Sequence, residues 1–256
     1  MKFIILGCGS SMGVPRPDGY FGNCNPKNKK NYRTRCSALI KTTEENILID
    51  TSPDLRHQLL QHKIKKINKV LYSHLHADQT HGINDLRSFY INSKKQIDVF
   101  ADKVTSDYLK KTFSYCFVSS NKEYPPTLKL NIINKDISIK NKKKNISIKA
   151  IKVKHGNIDS ICYIIDKKLA YISDVSQIYN KDFRYFKKLK YLVIDCLWFK
   201  DHPSHLNLTK SLELIKVFSP QKAILTNLHT DIDYDTLKKK LPSNITPAHD
   251  GLIVEL

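Results

Sequence analysis

The sequence predicts an α/β protein of the α+β type, in which two β-sheets pack face to face and helices cover their outer sides. Strand-like segments come in blocks near both ends of the chain, with helices interspersed, instead of alternating strictly with helices. No internal repeat or low-complexity linker divides the 256 residues, and hydrophobic residues make up 41% of them. We therefore expect one domain over residues 1–256, with a substantial buried core.

Two kinds of pattern locate the elements along the chain. Apolar runs and apolar–polar alternation predict strands at 3–6, 37–41, 46–50, 69–72, 99–100, 137–139, 146–153, 162–165, 169–172, 191–195, 223–226 and 252–256. Apolar residues at helical spacing predict helices at 54–62, 82–90, 106–117, 208–218 and 234–241. Asn207 or Thr209 is the expected N-cap of the helix at 208–218, because both side chains can accept a hydrogen bond from its first turn.

The formal net charge of +19 favours an anionic partner or substrate. Lysine-rich runs at 27–30 and 140–144 contribute to this charge, and their composition is typical of turns and loop edges. Neither run carries the interleaved aromatic residues that stack on nucleic-acid bases. A small anionic substrate is therefore favoured, and nucleic acid stays an alternative partner.

The six cysteines form no Cys-x-x-Cys pair, which is typical of reduced thiols. Cys24 and Cys36 fall in a polar loop, where a structural metal is an open alternative. The apolar run at 1–6 is too short for a signal peptide, and no apolar stretch is long enough to span a bilayer. The sequence predicts a cytoplasmic protein without a membrane partner, and a homodimer is the expected assembly.

His74, His76 and Asp78 alternate directly after the strand predicted at 69–72. In an extended segment, residues two apart lie on the same side, so the three side chains can converge. Two imidazoles and a carboxylate are a natural set of ligands for zinc or iron. A polar surface loop is the competing interpretation of this run when it is taken alone.

Later strand ends carry side chains of the same kind. His155 follows the strand at 146–153, Asp174 follows the strand at 169–172, and Asn227 and His229 follow the strand at 223–226. A rigid sheet can present ligands from several strand ends to one point. The joint pattern therefore favours a metal centre over a separate structural role for each residue.

The sequence resembles the metallo-β-lactamase superfamily over essentially its whole length. The run from Ser73 to Asp78 matches the His-x-His-x-Asp-His signature of that superfamily, which implies its αββα sandwich fold. More narrowly, the sequence resembles the branch of phosphoribosyl 1,2-cyclic phosphate phosphodiesterases, which is associated with phosphonate breakdown. That narrower resemblance rests on four segments, Gly7–Pro15, Arg35–Leu39, Asp50–Asp54 and Gly82–Arg87.

The resemblance implies a centre of one or two divalent cations per chain, with zinc, manganese or iron as the metal. The implied ligands of the first cation are His74, His76 and His155. Asp174 is then expected to bridge the two cations, and Asp78 with His229 is expected to hold the second.

Two positions depart from the family pattern. Gln79 stands where the signature has a histidine, and Asn227 stands where related phosphodiesterases often place their last histidine. In an extended strand Asn227 and His229 would point the same way, so we expect His229 to reach the site. The residues that could add a ligand or hold one in place are Gln79, His81, Asn227 and Asp50.

The resemblance also implies hydrolysis of a small cyclic or ribosyl phosphate ester by a metal-bound hydroxide. Asp78 is expected to orient the nucleophile, His205 to act as general acid for the departing alkoxide, and Arg87 to bind substrate phosphate. Three alternatives stay open: an RNase Z-like nuclease acting on RNA, a non-catalytic binding protein with a degenerate metal site, and a thioester or lactone hydrolase.

Overall fold

The computed structural model describes residues 1–119, 124–134, 136–140 and 145–256, and within them two seven-stranded β-sheets face each other. The strands of the first sheet are β1 (Lys2–Gly7), β2 (Ser37–Lys41), β3 (Asn46–Ile49), β4 (Lys69–Leu71), β5 (Ile97–Ala101), β6 (Leu128–Ile132) and β14 (Ile253–Glu255). Those of the second sheet are β7 (Ile137–Ile139), β8 (Ile146–His155), β9 (Ile158–Ile165), β10 (Leu169–Ile172), β11 (Tyr191–Asp195), β12 (Lys222–Thr226) and β13 (Ile245–Pro247).

Each sheet has an antiparallel half and a parallel half. The order of the first sheet is β14-β1-β2-β3-β4-β5-β6, and its strands run parallel from β3 to β6. The order of the second is β13-β12-β11-β10-β9-β8-β7, and its strands run parallel from β10 to β13. The parallel halves bring the carboxyl ends of consecutive strands to one edge of each sheet, where loops can carry functional residues.

The helices lie between the strands in sequence. They are α1 (Leu55–Gln61), α2 (Ala77–Thr80), α3 (Arg87–Ser93), α4 (Lys103–Thr112), α5 (Ser114–Phe117), α6 (Leu208–Phe218) and α7 (Tyr234–Lys240), with 3-10 turns at Lys29–Asn31, Ile83–Leu86 and Asn180–Tyr185. The Asn207 side chain accepts a hydrogen bond from the Lys210 amide, which confirms Asn207 as the N-cap of α6.

Three hydrophobic clusters join the layers. The central cluster lies between the sheets and includes Phe3 and Tyr171, whose ring centroids are 5.5 Å apart. A second cluster lies between the first sheet and helices α1, α4 and α5. A third lies between the second sheet and helices α6 and α7. This order of layers confirms the predicted αββα sandwich.

Most predicted elements are present, and the differences have local causes. The helix predicted at 106–117 begins earlier, at Lys103, because Asp102 caps it, and it breaks at Phe113. The helix predicted at 82–90 is a 3-10 turn followed by α3. The prediction missed the edge strands β6 and β13. The lysine run at 140–144 falls outside the described residues, except for its first position.

The cysteines do not form a structural metal site in the described part of the chain. All six are buried and free. Cys24 Sγ lies 3.2 Å from the Ile232 carbonyl oxygen, and Cys36 Sγ lies 3.4 Å from that of Gly9. Neither joins a group of potential metal ligands among the described residues. The suggested role of Cys24 and Cys36 in metal binding is therefore wrong for this fold.

None of the helices in the described ranges has the length and apolar character required to cross a membrane.

A side-chain hydrogen bond links the two sheets next to the predicted metal-binding run. Tyr163 in β9 is fully buried, and its hydroxyl donates to the Tyr72 carbonyl oxygen at 2.6 Å. We expect Tyr163→Phe to lower the free energy of unfolding by about 1–3 kcal/mol, because it leaves a buried carbonyl without its partner. Tyr20→Phe, at a half-exposed tyrosine, is the matched control and should change stability by less than about 0.5 kcal/mol. Equal denaturant midpoints for the two variants would contradict this expectation.

Candidate metal centre

The candidate site lies where strands of both sheets end. His74 and His76 follow β4 in the first sheet, and His155 is the last residue of β8 in the second. Asp174 follows β10, and Asp195 ends β11. Strand β8 is antiparallel to β9, and β9 is antiparallel to β10, so β8 and β10 end at the same edge. The sheet frame thus gathers these side chains from distant parts of the sequence.

His74, His76 and His155 form a compact cluster, here called the three-histidine group. Their ring centroids are 4.6 to 5.1 Å apart, and one ring nitrogen of each lies within 4.8 Å of the others. The remaining nitrogens of two rings are anchored: His74 Nδ1 lies 3.0 Å from Ser73 Oγ, and His155 Nδ1 lies 2.7 Å from the Ser204 carbonyl oxygen. A hydrogen bond of this kind fixes the orientation of the imidazole ring, and so it also fixes the direction of the other ring nitrogen.

The electrostatics of the three-histidine group suit a metal. Burial lowers the pKa of His74 to about 3 and lowers the pKa values of His76 and His155 as well. The imidazoles are therefore neutral at physiological pH, which is the form that binds metal. Three neutral imidazole nitrogens fit a divalent cation such as zinc, with a further position for water or substrate.

His155, Asp174 and His205 form a second group of converging ligand atoms, also within 4.8 Å of one another. His205 Nδ1 lies 2.7 Å from Asp195 Oδ2, so Nε2 is the nitrogen left to face the site. Burial acts to lower the pKa of His205, but the charge of Asp195 and this hydrogen bond outweigh it and raise the pKa to about 9. Asp195 is not among the residues predicted for the site from the sequence, although an acid that closes a fully apolar strand was the available signal.

The expectation that Asp78 shares the extended alternation with His74 and His76 is wrong. Helix α2 begins at Ala77, so the backbone leaves the extended conformation directly before Asp78. Both groups of converging ligand atoms in the described chain leave Asp78 out. Gln79 Nε2 lies 3.2 Å from Asp78 Oδ2 and 3.4 Å from Asp174 Oδ2, so the two carboxylates are close. Burial and the nearby charge of Asp174 raise the pKa of Asp78 to about 6.

The expectation that His229 reaches the site is also wrong. Asn227 has a φ of 60°, which ends the alternation of the strand, so Asn227 and His229 do not share a face. The His229 ring packs on Trp198, with centroids 5.1 Å apart, and its Nδ1 accepts a hydrogen bond from the Asp231 amide at 3.2 Å. The Asn227 side chain instead lies in the site, with Nδ2 3.3 Å from Asp174 Oδ1.

The remaining candidates lie around the site or away from it. Asp50 accepts a hydrogen bond from the Ser73 amide at 2.7 Å, so it holds the backbone before His74 and not a histidine ring. His81 faces outward, with Nε2 3.0 Å from the Tyr108 hydroxyl. Arg87 is exposed and lines a separate cavity with Tyr90 and Tyr115. The structure therefore does not bring His81 or Arg87 to the three-histidine group.

A basic cleft of about 920 Å³ lies on the side of Arg35. Its charged lining residues are Lys27, Lys29, Lys30, Arg33 and Arg35 together with Asp54 and Asp250. A bidentate hydrogen bond to Asp54, at 2.6 and 2.8 Å, and a smaller contribution from Asp78 raise the pKa of Arg35. Among the described residues that line this cleft, none belongs to the three-histidine group or to the group of His155, Asp174 and His205. Arg33 is buried, and it donates a hydrogen bond to the Ile232 carbonyl oxygen at 2.7 Å.

Several known proteins share this architecture. A crystallised diphosphatase from the PhnP family matches with a TM-score of 0.87 and 27% identity, over 100% of this chain and 97% of the other. Zn²⁺-bound PqqB from Methylobacterium extorquens (TM-score 0.81, 16% identity, 100% of both chains) has the same fold. The short form of human tRNase Z does too (TM-score 0.70, 15% identity, 100% of this chain and 99% of the other).

An octanoyltransferase of Porphyromonas gingivalis (strain ATCC BAA-308 / W83) is 29% identical over 256 residues. The match covers 98% of this chain and 51% of that protein, so the chain spans about half the length of this curated relative. The family model described as Beta-lactamase superfamily domain matches residues 45–227, which include the three-histidine group, Asp174 and His205. The chain therefore belongs to the metallo-β-lactamase superfamily, and it is similar to the PhnP branch.

Proposed function

We propose that the protein is a metal-dependent phosphodiesterase that cleaves a small cyclic or ribosyl phosphate ester. One observation carries the proposal: His155 belongs both to the three-histidine group and to the group with Asp174 and His205, and the hydrogen bond that His205 Nδ1 donates to Asp195 leaves Nε2 available. The similarity to a diphosphatase supports a substrate that contains phosphate. The basic cleft supports an anionic substrate.

In this proposal the bound cation and the side chains have separate roles in hydrolysis. When bound, a divalent cation supplies Lewis acidity, which activates water and neutralises charge on a phosphoryl group. His205 donates a proton from Nε2 to the departing oxygen of the ester, while Asp195 holds the imidazole through Nδ1. Asp78 is partly exposed, and in this proposal it accepts a hydrogen bond from the attacking water and so orients it.

RNA is the second candidate substrate, because the cleft carries Lys27, Lys29 and Lys30 together with an exposed aromatic residue, Tyr32. Lysines can follow a phosphate backbone, and an aromatic ring can stack on a base. This combination favours a nuclease among the alternatives. The lining of the cleft supports RNA less strongly than the metal centre supports hydrolysis. The metal centre can act on a small ester as well as on RNA.

Metal binding is tested by one histidine variant and a matched control. We expect His76→Ala to lower the affinity for zinc by about tenfold or more, because it removes one of three imidazole ligands. His81→Ala changes the same residue type five positions away and should keep the wild-type affinity, since His81 contacts Tyr108. Elemental analysis after dialysis against limiting zinc measures both. Equal zinc contents in the two variants would rule out the three-histidine group as the metal site.

The substrate class is tested with purified protein loaded separately with zinc, manganese or iron. We expect turnover of bis(p-nitrophenyl) phosphate and of a ribosyl cyclic phosphodiester, with tRNA precursors left intact. Cleavage of tRNA precursors without turnover of the small esters would favour the nuclease. No turnover with any metal, together with metal well below one ion per chain, would favour a non-catalytic binding protein.

His205 is tested through the leaving group. We expect His205→Ala to lower kcat by about 10²–10⁴-fold on an alkyl phosphodiester, because the departing alkoxide then lacks its proton donor. The loss should be much smaller on a p-nitrophenyl ester, whose leaving group departs without protonation. His81→Ala is again the control. Equal losses on the two esters would show that His205 is not the proton donor.

A further inference from the structure

The three-histidine group and the second group share a residue. His155 belongs to both, and its Nδ1 is already bound to the Ser204 carbonyl oxygen at 2.7 Å, so only Nε2 is available to a cation. One nitrogen lone pair binds one cation. The ligand groups found among the described residues therefore overlap in one site and do not form two independent ones.

A carboxamide occupies the space that a second cation would need. Such a cation would have to lie between Asp78 and Asp174, and Gln79 is buried between those two carboxylates. Its Nε2 lies 3.2 Å from Asp78 Oδ2 and 3.4 Å from Asp174 Oδ2. Both partners are acceptors, so this hydrogen-bond network turns the amide nitrogen toward them. An N–H group donates hydrogen bonds and does not bind a cation.

A second carboxamide reaches Asp174 from the other side. Asn227 Nδ2 donates to the Ser173 carbonyl oxygen at 2.9 Å and lies 3.3 Å from Asp174 Oδ1. A carbonyl oxygen only accepts, so the bond to Ser173 fixes which end of the amide faces Asp174. The left-handed backbone of Asn227, with a φ of 60°, places the side chain there. Asp174 is thus contacted by one amide on each oxygen.

We propose that the chain binds one divalent cation, at the three-histidine group, and that the carboxamides of Gln79 and Asn227 take the place of a second cation. They do so by donating hydrogen bonds to Asp78 and Asp174. Gln79 and Asn227 are positioning residues in this arrangement. The inference rests on the metal centre of the proposed function but not on its substrate.

Cobalt titration of the metal-free protein is the direct test. The visible absorption bands of bound Co²⁺ should grow linearly and saturate at one equivalent per chain, and native mass spectrometry should show one ion. The double variant Gln79→His/Asn227→His replaces both donating amides with ligating imidazoles. We expect it to saturate at about two equivalents.

The matched control is Gln221→His/Asn244→His, which introduces the same residues at exposed positions away from the site. It should saturate at one equivalent, like the unchanged protein. Two equivalents in the unchanged protein, or one equivalent in a folded Gln79→His/Asn227→His variant, would overturn the inference. If that double variant does not fold, Gln79→Glu is the second test: the added carboxylate replaces the amide donor and should admit a second cobalt ion, and saturation at one would count against the inference.

The titration separates this inference from the proposed function. One equivalent of cobalt without turnover of any phosphodiester would support the single-cation site and overturn the phosphodiesterase. Two equivalents of cobalt together with turnover of a cyclic phosphodiester would overturn the single-cation site and support the phosphodiesterase.

Discussion

Ser73 is the residue on which the position of the metal centre depends, because both sheets hold its backbone. Its amide donates to Asp50 Oδ1 at 2.7 Å in the first sheet, and its carbonyl oxygen accepts from the Ile161 amide of β9 at 2.8 Å. Its hydroxyl is 3.0 Å from His74 Nδ1. These bonds fix where the chain leaves β4, and so they bring His74 of one sheet against His155 of the other. A change in the spacing of the sheets would separate the imidazoles.

Much of this frame follows from the sequence, since burial on one or both faces leaves a clear periodicity in strands and helices. The strands at 169–172 and 191–195 and helix α6 lie where the pattern predicts them. The edge strands β6 and β13 were missed because edge strands bury less apolar surface and so leave a weak pattern. The position of His74, His76, His155 and Asp174 at strand ends was also enough to predict that they lie together.

The failures in the site share one cause, which is local backbone conformation. Alternation in an extended chain was assumed for Asp78 and for His229. Helix α2 begins directly before Asp78, and Asn227 adopts a left-handed conformation directly after β12. Neither change alters the hydrophobic pattern, so the pattern could not reveal it. The partnership of Asp195 with His205 was missed for a related reason, since it depends on which loops meet in three dimensions.

The buried acids give metal binding a consequence for stability. Asp50, Asp174 and Asp195 are each at most 2% exposed, and a buried carboxylate is costly unless charge or hydrogen bonds compensate it. The partner that compensates Asp195 is His205, and the partner of Asp50 is the Ser73 amide. Asp174 is compensated by hydrogen bonds from two carboxamides. Amides compensate a carboxylate less completely than a cation does, because they carry no net charge. A cation bound at the neighbouring histidines therefore lowers the electrostatic cost of burying Asp174, and its binding free energy adds to the stability of the folded chain.

The net charge of +19 acts on a different length scale from these short contacts. Exposed lysines attract an anion over about 8–10 Å at physiological salt, so they speed the encounter more than they add to affinity. A small ester that places one phosphate at the metal centre loses little affinity as salt rises, since few counterions are released. An RNA that contacts Lys27, Lys29 and Lys30 in the cleft releases several, and its affinity falls steeply with salt. The salt dependence of KM therefore reports whether the cleft takes part in substrate binding, independently of which bond is cut.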